Sequence, residues 1–292
     1  MLIHPRDPRY FLLTVADLAS TQLPDPALNH RQPLQAVADW ARDYLSNPHA
    51  ELGRSGPVCP YVPTSLRKRL FYLTVQAAGP DGLDGSAVAA AVASYRDWFS
   101  ALEPTDEPVA QFKTILILFP DVRPVDAPRI IDRTQARLKP SFVDAGLMIG
   151  QFHPLPPVVG GLWNADFRPL RCPVPLLAIR HMVPTDLPFL SRDRRLLDGY
   201  QRVFRDNLPE RQRIEFNRAM ASAPQPAPPS ARSAASATAA ALASSPALAA
   251  LASSATAALA SSATAATPGA AVSRSVPASA SRAPAPEGEG RR

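Results

Sequence analysis

The chain has 292 residues, and its 31 Lys and Arg against 25 Asp and Glu give a net charge of +6, with 34 Pro but only 13 Gly. Two cysteines are too few for a disulfide framework or a zinc site made of four thiolates, and no strongly apolar run reaches the roughly 18 residues that predict a membrane-spanning helix. Charged residues interrupt the N-terminal segment, which excludes a signal-peptide core, so we expect a soluble, cytoplasmic protein without a membrane partner.

Helix and strand patterns alternate along the first two thirds of the chain. Their order predicts an α/β or α+β fold, a single domain with a four-stranded mixed sheet and flanking helices. Long loops rich in Pro and Gly separate several of these elements. Apolar residues at helical spacing predict helices over 33–46, 84–102, 124–138 and 191–220, and short apolar runs predict strands over 70–75, 114–119, 147–152 and 176–182.

Composition changes abruptly near residue 221. Residues 233–267 are mostly Ala, Ser and Thr and contain no charged or aromatic side chain. So little apolar surface cannot offset the entropy lost on ordering the chain. We therefore predict an N-terminal lead-in over 1–32, a globular domain over 33–220 and a disordered tail over 221–292.

The basic residues do not predict a nucleic-acid-binding face. Nearly all are arginines, and they are scattered among acidic residues along the chain. Even the densest cluster, over 192–205, is interleaved with Asp193 and Asp198. A phosphate-binding face needs clustered cations, whereas interleaved charges are typical of a solvated helix with ion pairs. We expect no nucleic-acid partner.

Cys59 lies in one of the Gly- and Pro-rich loops and precedes a proline. Pro60 restricts Cys59 to extended backbone geometry, which partly fixes the thiol in space. Such a thiolate could bind haem iron, coordinate another metal or act as a nucleophile. The alternative, which applies equally to Cys172, is a small buried loop residue.

Two histidines and an aspartate follow predicted strands. His153 follows the third strand, while His181 and Asp186 lie at and beyond the end of the fourth. Either histidine could be a general base or a haem or metal ligand, or could simply bond a backbone carbonyl. With Cys59, they include the ligand types of a mononuclear metal site, but no zinc-finger or His-Glu-x-x-His spacing is present. The histidines share one edge if the strands are parallel, and lie at opposite ends if antiparallel.

Charged and aromatic residues near these segments are candidate substrate contacts. Arg180 lies inside an apolar strand, where its guanidinium could hold a carboxylate or phosphate, or could pair with Asp186 in the following turn. Arg171 adds a cation in the loop before that strand. In the same loop, Trp163 and Phe167 could form an apolar lid hinged at two adjacent glycines, or could anchor an ordinary loop.

Three motifs in combination resemble an uncharacterised bacterial domain family that is described as a domain of unknown function. They are Gly56-Pro57-Val58-Cys59-Pro60, Gly150-Gln151-Phe152-His153-Pro154 and Arg180-His181-Met182-Val183-Pro184-Thr185-Asp186. The resemblance covers about residues 34–205 and implies a soluble domain without an established activity. The chain is also loosely similar to small haem-dependent oxygenases with a Pro-Cys loop before the first strand, although the order here is Cys-Pro.

Two functional hypotheses follow from these residues. The first is an enzyme that acts on a small anionic molecule, with haem or a mononuclear metal as cofactor and oxidative tailoring as its chemistry. Cys59 or His181 would bind the cofactor, His153 would be the acid or base, and Arg180 would hold the substrate. The alternative is a cofactor-free ligand- or protein-binding scaffold module. The sequence leaves the substrate and the oligomeric state open, and the enzyme hypothesis requires the distant segments to converge.

Overall fold

The computed structural model describes residues 1–79, 82–157, 160–205 and 207–224. The predicted tail therefore lies almost wholly outside the described residues. Within the described part of the chain, no helix combines the length and the apolarity needed to span a membrane.

The strands form two sheets. A short N-terminal pair is antiparallel, and the main sheet is mixed, with the order β3-β4-β6-β5. In the main sheet β3 and β4 are parallel, whereas β6 runs antiparallel to both β4 and β5. This confirms the predicted four-stranded mixed sheet. The strands are β1 (Leu2–Ile3), β2 (Phe11–Leu12), β3 (Phe71–Val75), β4 (Thr114–Leu118), β5 (Leu147–Phe152) and β6 (Leu176–His181).

Seven α-helices flank the main sheet or pack at its end, counted over the described residues. Asp84 begins the longest of them, because its carboxylate accepts hydrogen bonds from the free N–H groups of Ser86 and Ala87, each at 2.8 Å. A π-helical turn over Ala41–Leu45 continues the second helix. The helices are α1 (Asp25–Asn29), α2 (Arg31–Trp40), α3 (Val62–Arg67), α4 (Gly85–Ala101), α5 (Arg133–Asp144), α6 (Arg194–Phe204) and α7 (Glu210–Ser222).

Both faces of the main sheet are buried. On one face, Ile115, Ile117 and Ile179 pack with side chains of α4 and α5, while on the other, Leu116 and Leu176 pack with α2. This explains the continuous apolar run of β4, because a strand in the middle of a covered sheet has no solvent side. A third cluster lies around α6 and α7.

The N-terminal lead-in, which the sequence left without a place, packs against the main sheet. Leu13 forms a backbone bridge with Leu73 of β3 through hydrogen bonds of 2.8 and 2.7 Å. Phe11 and Leu12 are buried among side chains of the core. The lead-in thus covers one edge of the sheet.

Two further differences from the sequence prediction concern helices. The helix α3 follows directly on the Pro-rich loop, and α5 extends beyond its predicted end at residue 138.

Candidate functional site

The antiparallel pairing of β5 and β6 separates the two candidate histidines. Leu147 pairs with His181 at one end of the ladder, and Phe152 pairs with Leu176 at the other. His153 follows Phe152, so it lies about 20 Å from His181 along the strand direction. The structure does not bring these two imidazoles into one site.

His181 lies against α4 in an apolar environment. Its ring centroid is 5.0 Å from that of Phe99, and its Nε2 is buried without a hydrogen-bond partner among the described residues. Burial, together with the charge of nearby Lys113, lowers the pKa of His181 to about 4. The ring is therefore neutral near pH 7.

His153 is completely buried and lies on the face of the main sheet that α4 and α5 cover. Its Nε2 lies 3.0 Å from a carboxylate oxygen of Asp132, just before α5. Its backbone is held as well, because its N–H donates to Leu170 O and its carbonyl accepts from Cys172 N, both at 3.3 Å. The imidazole thus forms a buried His–Asp pair.

Arg180 and Asp186 form an ion pair, which is one of the two alternatives predicted for Arg180. Arg180 Nη1 and Nη2 donate to the two carboxylate oxygens of Asp186 at 2.7 and 2.6 Å, and Val183 N donates to the same carboxylate at 2.9 Å. Asp186 is buried, whereas the Arg180 side chain is 31% exposed. The pair fixes the turn that follows β6.

Cys59 lies close to this ion pair. Burial alone lowers the pKa of the Arg180 guanidinium, but the hydrogen bonds and charge of Asp186 outweigh it and raise the pKa, with smaller contributions from Cys59 and Tyr61. The structure thus places Cys59 within electrostatic range of Arg180, which is paired with Asp186. His181 is adjacent in sequence but points to the opposite face of the sheet.

An open groove with a volume of about 780 Å³ lies at the other end of β6. One wall is formed by the end of α2, the π-helical turn and the segment after it. The other wall is the loop that joins β5 to β6. Its size is typical of sites that hold small molecules. The lining residues are Trp40, Tyr44, His49, Glu51, Pro154, Asp166, Phe167, Arg168, Arg171, Cys172 and Pro173.

Four rings form the apolar part of the groove. The Tyr44 ring is nearly parallel to those of Trp40 and Phe167, with centroids 6.3 and 6.4 Å apart and interplanar angles of 22° and 29°. His49 stands more steeply, at 74° to Tyr44 and 46° to Phe167. Trp40, Tyr44 and His49 are partly exposed in the groove, whereas Phe167 is buried and packs against Tyr44 and His49.

Two arginines and two carboxylates provide the charge of the groove. Arg168 Nη1 donates to Ala165 O at 2.7 Å, which holds the loop. The guanidinium of Arg171 and the carboxylates of Glu51 and Asp166 have no hydrogen-bond or ion-pair partner among the described residues. These three charged groups are available to a ligand.

Two opposite charges affect the pKa of the Tyr44 hydroxyl. Burial raises its pKa, while the charge of Arg171 lowers it and that of Glu51 raises it again. Arg171 and Glu51 are therefore both within electrostatic range of one phenol oxygen.

Trp163 lies on the outer side of the same loop. It is 58% exposed, and the Arg54 guanidinium lies 4.9 Å from its ring centroid. Phe167, the other residue of the expected lid, is buried and packs against Tyr44 and His49. Gly160 allows close packing, since a Cβ there would lie 2.3 Å from Ala165 O. The loop is thus held against its neighbours by specific contacts.

Cys172 lies at the inner end of the groove. Its side chain is buried, and burial raises the pKa of its thiol to about 12, an effect that a backbone hydrogen bond from Val174 only partly opposes. The protonated thiol is a poor nucleophile and a poor metal ligand. This agrees with the alternative of a buried loop residue.

The ligand types of the expected mononuclear metal site do not cluster. Across the described ranges, no three side chains among His, Cys, Asp and Glu are placed to hold one ion. Cys59 and Asp186 lie near Arg180, His153 is held by Asp132, and His181 is on the other face of the sheet. The four residues therefore belong to three different environments.

Sequence reasoning missed one whole side of the groove. Trp40 and Tyr44 lie within the helix predicted over 33–46, and His49 follows it; none of the three was among the candidate site residues. The signal was the combination of two large rings four residues apart with a histidine and Glu51 directly after the helix. Rings that are only half-buried in a helix mark a surface available for contacts.

Comparison with known proteins gives a family. A search of curated proteins and a search of solved structures each found no matching protein. A family model described as a domain of unknown function, DUF6875, matches residues 34–215. The match includes both sides of the groove, the ion pair after β6 and the loop of Cys59. Since it covers more than half of the chain, the protein belongs to the DUF6875 family of domains of unknown function.

Proposed function

We propose that this domain binds a small molecule with an acidic group and a flat apolar part in the groove. The observation that carries the proposal is that Arg171 lines the groove together with the partly exposed rings of Trp40 and Tyr44. A mostly apolar cleft with a few convergent polar groups is the usual form of a small-molecule site.

Arg171 supports an acidic group on the ligand. A guanidinium presents a planar set of donors that matches a carboxylate or phosphate, and such bidentate contacts are stronger than those between neutral groups. Arg168 is different, because its Nη1 already donates to Ala165 O. Arg168 therefore orders the loop, and Arg171 contacts the ligand.

We propose binding in the groove because the residues predicted to be catalytic do not line it. Asp186 accepts from both Arg180 and Val183, so its oxygens are occupied by the protein. His153 is buried against Asp132, on the face of the sheet away from the rings. A general base must reach the proton that it removes, and neither group lies in the groove.

An enzyme that uses Cys59 is the second candidate function. The observation in its favour is a partly exposed thiol within electrostatic range of the Arg180 guanidinium. Haem or a mononuclear metal bound at Cys59 would support oxidative tailoring of an anionic substrate. A Soret band or bound metal that appears on adding haemin or Fe²⁺ to the full chain, and is lost in Cys59→Ser, would support this function.

A nuclear magnetic resonance titration tests the binding proposal. The full ¹⁵N-labelled chain is titrated with 3-indolepropionate, and the indole N–H signals of its three tryptophans are followed. Saturable shifts of the Trp40 signal, identified with Trp40→Phe, are expected. Arg171→Gln should weaken binding about tenfold, because a charge-assisted contact is lost.

The matched control is Arg123→Gln. Arg123 is an exposed arginine outside the groove, so its removal changes the net charge equally and should leave the affinity unchanged. An unshifted Trp40 signal, or equal affinity in Arg171→Gln and the wild type, would contradict the proposed function.

A further inference from the structure

We infer that the ligand of the groove also carries a cationic nitrogen, so that the site selects a flat zwitterion of the aromatic amino-acid class. This inference rests on the proposed function and refines the ligand. The observation behind it is the charge of the lining, where Glu51 and Asp166 accompany Arg168 and Arg171.

The backbone segments that carry the two carboxylates are linked to each other. Asn164 connects their segments, since its Nδ2 donates to the backbone carbonyl of Glu51 at 2.8 Å and its Oδ1 accepts from the backbone N–H of Asp166 at 3.0 Å. Neither carboxylate has a side-chain partner in the described part of the chain. Two exposed carboxylates thus line the groove beside the two arginines.

A purely anionic ligand fits this lining poorly. Its acidic group would be attracted to Arg171, but Glu51 is within electrostatic range of the same Tyr44 hydroxyl and would repel it. A ligand with an ammonium group directed toward Glu51 and Asp166 removes this repulsion and leaves the attraction to Arg171 intact. Opposite charges in one small site therefore favour a ligand that has both.

The rings contribute to the same selectivity. Trp40 and Tyr44 are partly exposed rings that line the groove, and an aromatic ring of the ligand can pack against them. The negative potential of ring faces also attracts a cation that lies above them. A flat skeleton with an ammonium group and a carboxylate on its side chain satisfies the rings, the carboxylates and Arg171 together.

Three compounds with one indole ring separate the charges. Tryptophan has both charges, 3-indolepropionate lacks the ammonium group, and tryptophan amide lacks the carboxylate. With the labelled full chain at low salt, tryptophan should bind about fivefold more tightly than either of the others, the size of effect expected for a partly exposed ion pair.

The double variant Glu51→Gln with Asp166→Asn tests the residues. It should lose the preference for tryptophan over 3-indolepropionate and bind 3-indolepropionate at least as tightly as the wild type. Asp97→Asn, at an exposed carboxylate outside the groove, is the matched control and should keep the preference. Unchanged Trp98 and Trp163 signals verify that the double variant is folded, and each single variant repeats the test.

The outcomes separate the inference from the proposed function. If 3-indolepropionate binds as tightly as tryptophan in an Arg171-dependent way, the inference is overturned and the proposed function stands. A preference for tryptophan that survives in the double variant also overturns the inference. If no compound produces a saturable shift of the Trp40 signal, both fail.

Discussion

Protonation of His181 should destabilise the fold in mild acid. Burial and Lys113 lower its pKa from 6.5 to about 4, so the unfolded chain binds this proton more tightly than the folded chain. The stabilising effect of the neutral ring is therefore fully present above pH 6.5 and is lost as the pH falls toward 4. At about 1.4 kcal/mol for each tenfold change in proton affinity, this residue lowers the free energy of unfolding by about 2 kcal/mol between pH 7 and pH 5.

Urea unfolding measures this loss. The full chain and His181→Gln are unfolded at pH 7 and pH 5, and the transition is followed by near-ultraviolet circular dichroism. Carboxylates contribute equally to both proteins, so His181→Gln should lose about 2 kcal/mol less than the wild type between the two pH values. The control His49→Gln removes a groove histidine that is not packed beside Lys113, and it should keep the wild-type loss. Equal pH dependence in His181→Gln and the wild type would refute the reasoning.

Three other substitutions or reactions test particular contacts. Arg69 has φ 57° at the position after the end of α3, where glycine is favoured, so Arg69→Gly should raise the free energy of unfolding by about 0.5–1 kcal/mol in urea; a loss would contradict the argument. Asp186→Asn should lower it by about 2 kcal/mol, because Arg180 loses its charged partner, whereas the double variant Asp186→Leu with Arg180→Met should recover most of the loss. Iodoacetamide at pH 8 should alkylate Cys59 well before Cys172, whose thiol is buried and protonated; mass spectrometry of digests gives the order, and equal rates would disagree with the burial of Cys172.

Local patterns predicted the main elements well, for identifiable reasons. The strand predicted over 147–152 has the same bounds as β5, and the run over 114–119 corresponds to β4. These strands are short apolar runs between Gly, Pro and polar residues, a pattern that depends mainly on neighbouring residues. Asp84 similarly begins α4 through contacts within three residues. The N-terminal lead-in escaped prediction because its strands are only two residues long and depend on pairing with β3.

The candidate site was predicted only in fragments. The Arg180–Asp186 pair was among the alternatives because its partners are six residues apart, and Arg171 was singled out as a ligand contact. The rings of Trp40 and Tyr44 lie in a predicted helix but were not singled out, since helical spacing does not reveal which side of a helix a distant loop will leave uncovered. A groove between two segments more than a hundred residues apart has no local signature.

The sequence by itself determined which segments become helices or strands, the composition that sets the C-terminal region apart, and the residue types available for chemistry. Tertiary structure alone decided which of those residues meet. A long loop joins β5 to β6 and is compatible with either strand direction, so only packing of the whole sheet could make the pair antiparallel. That one choice of direction places His153 and His181 at opposite ends of the strand pair, because the C-terminal ends of antiparallel strands lie at opposite edges of the sheet.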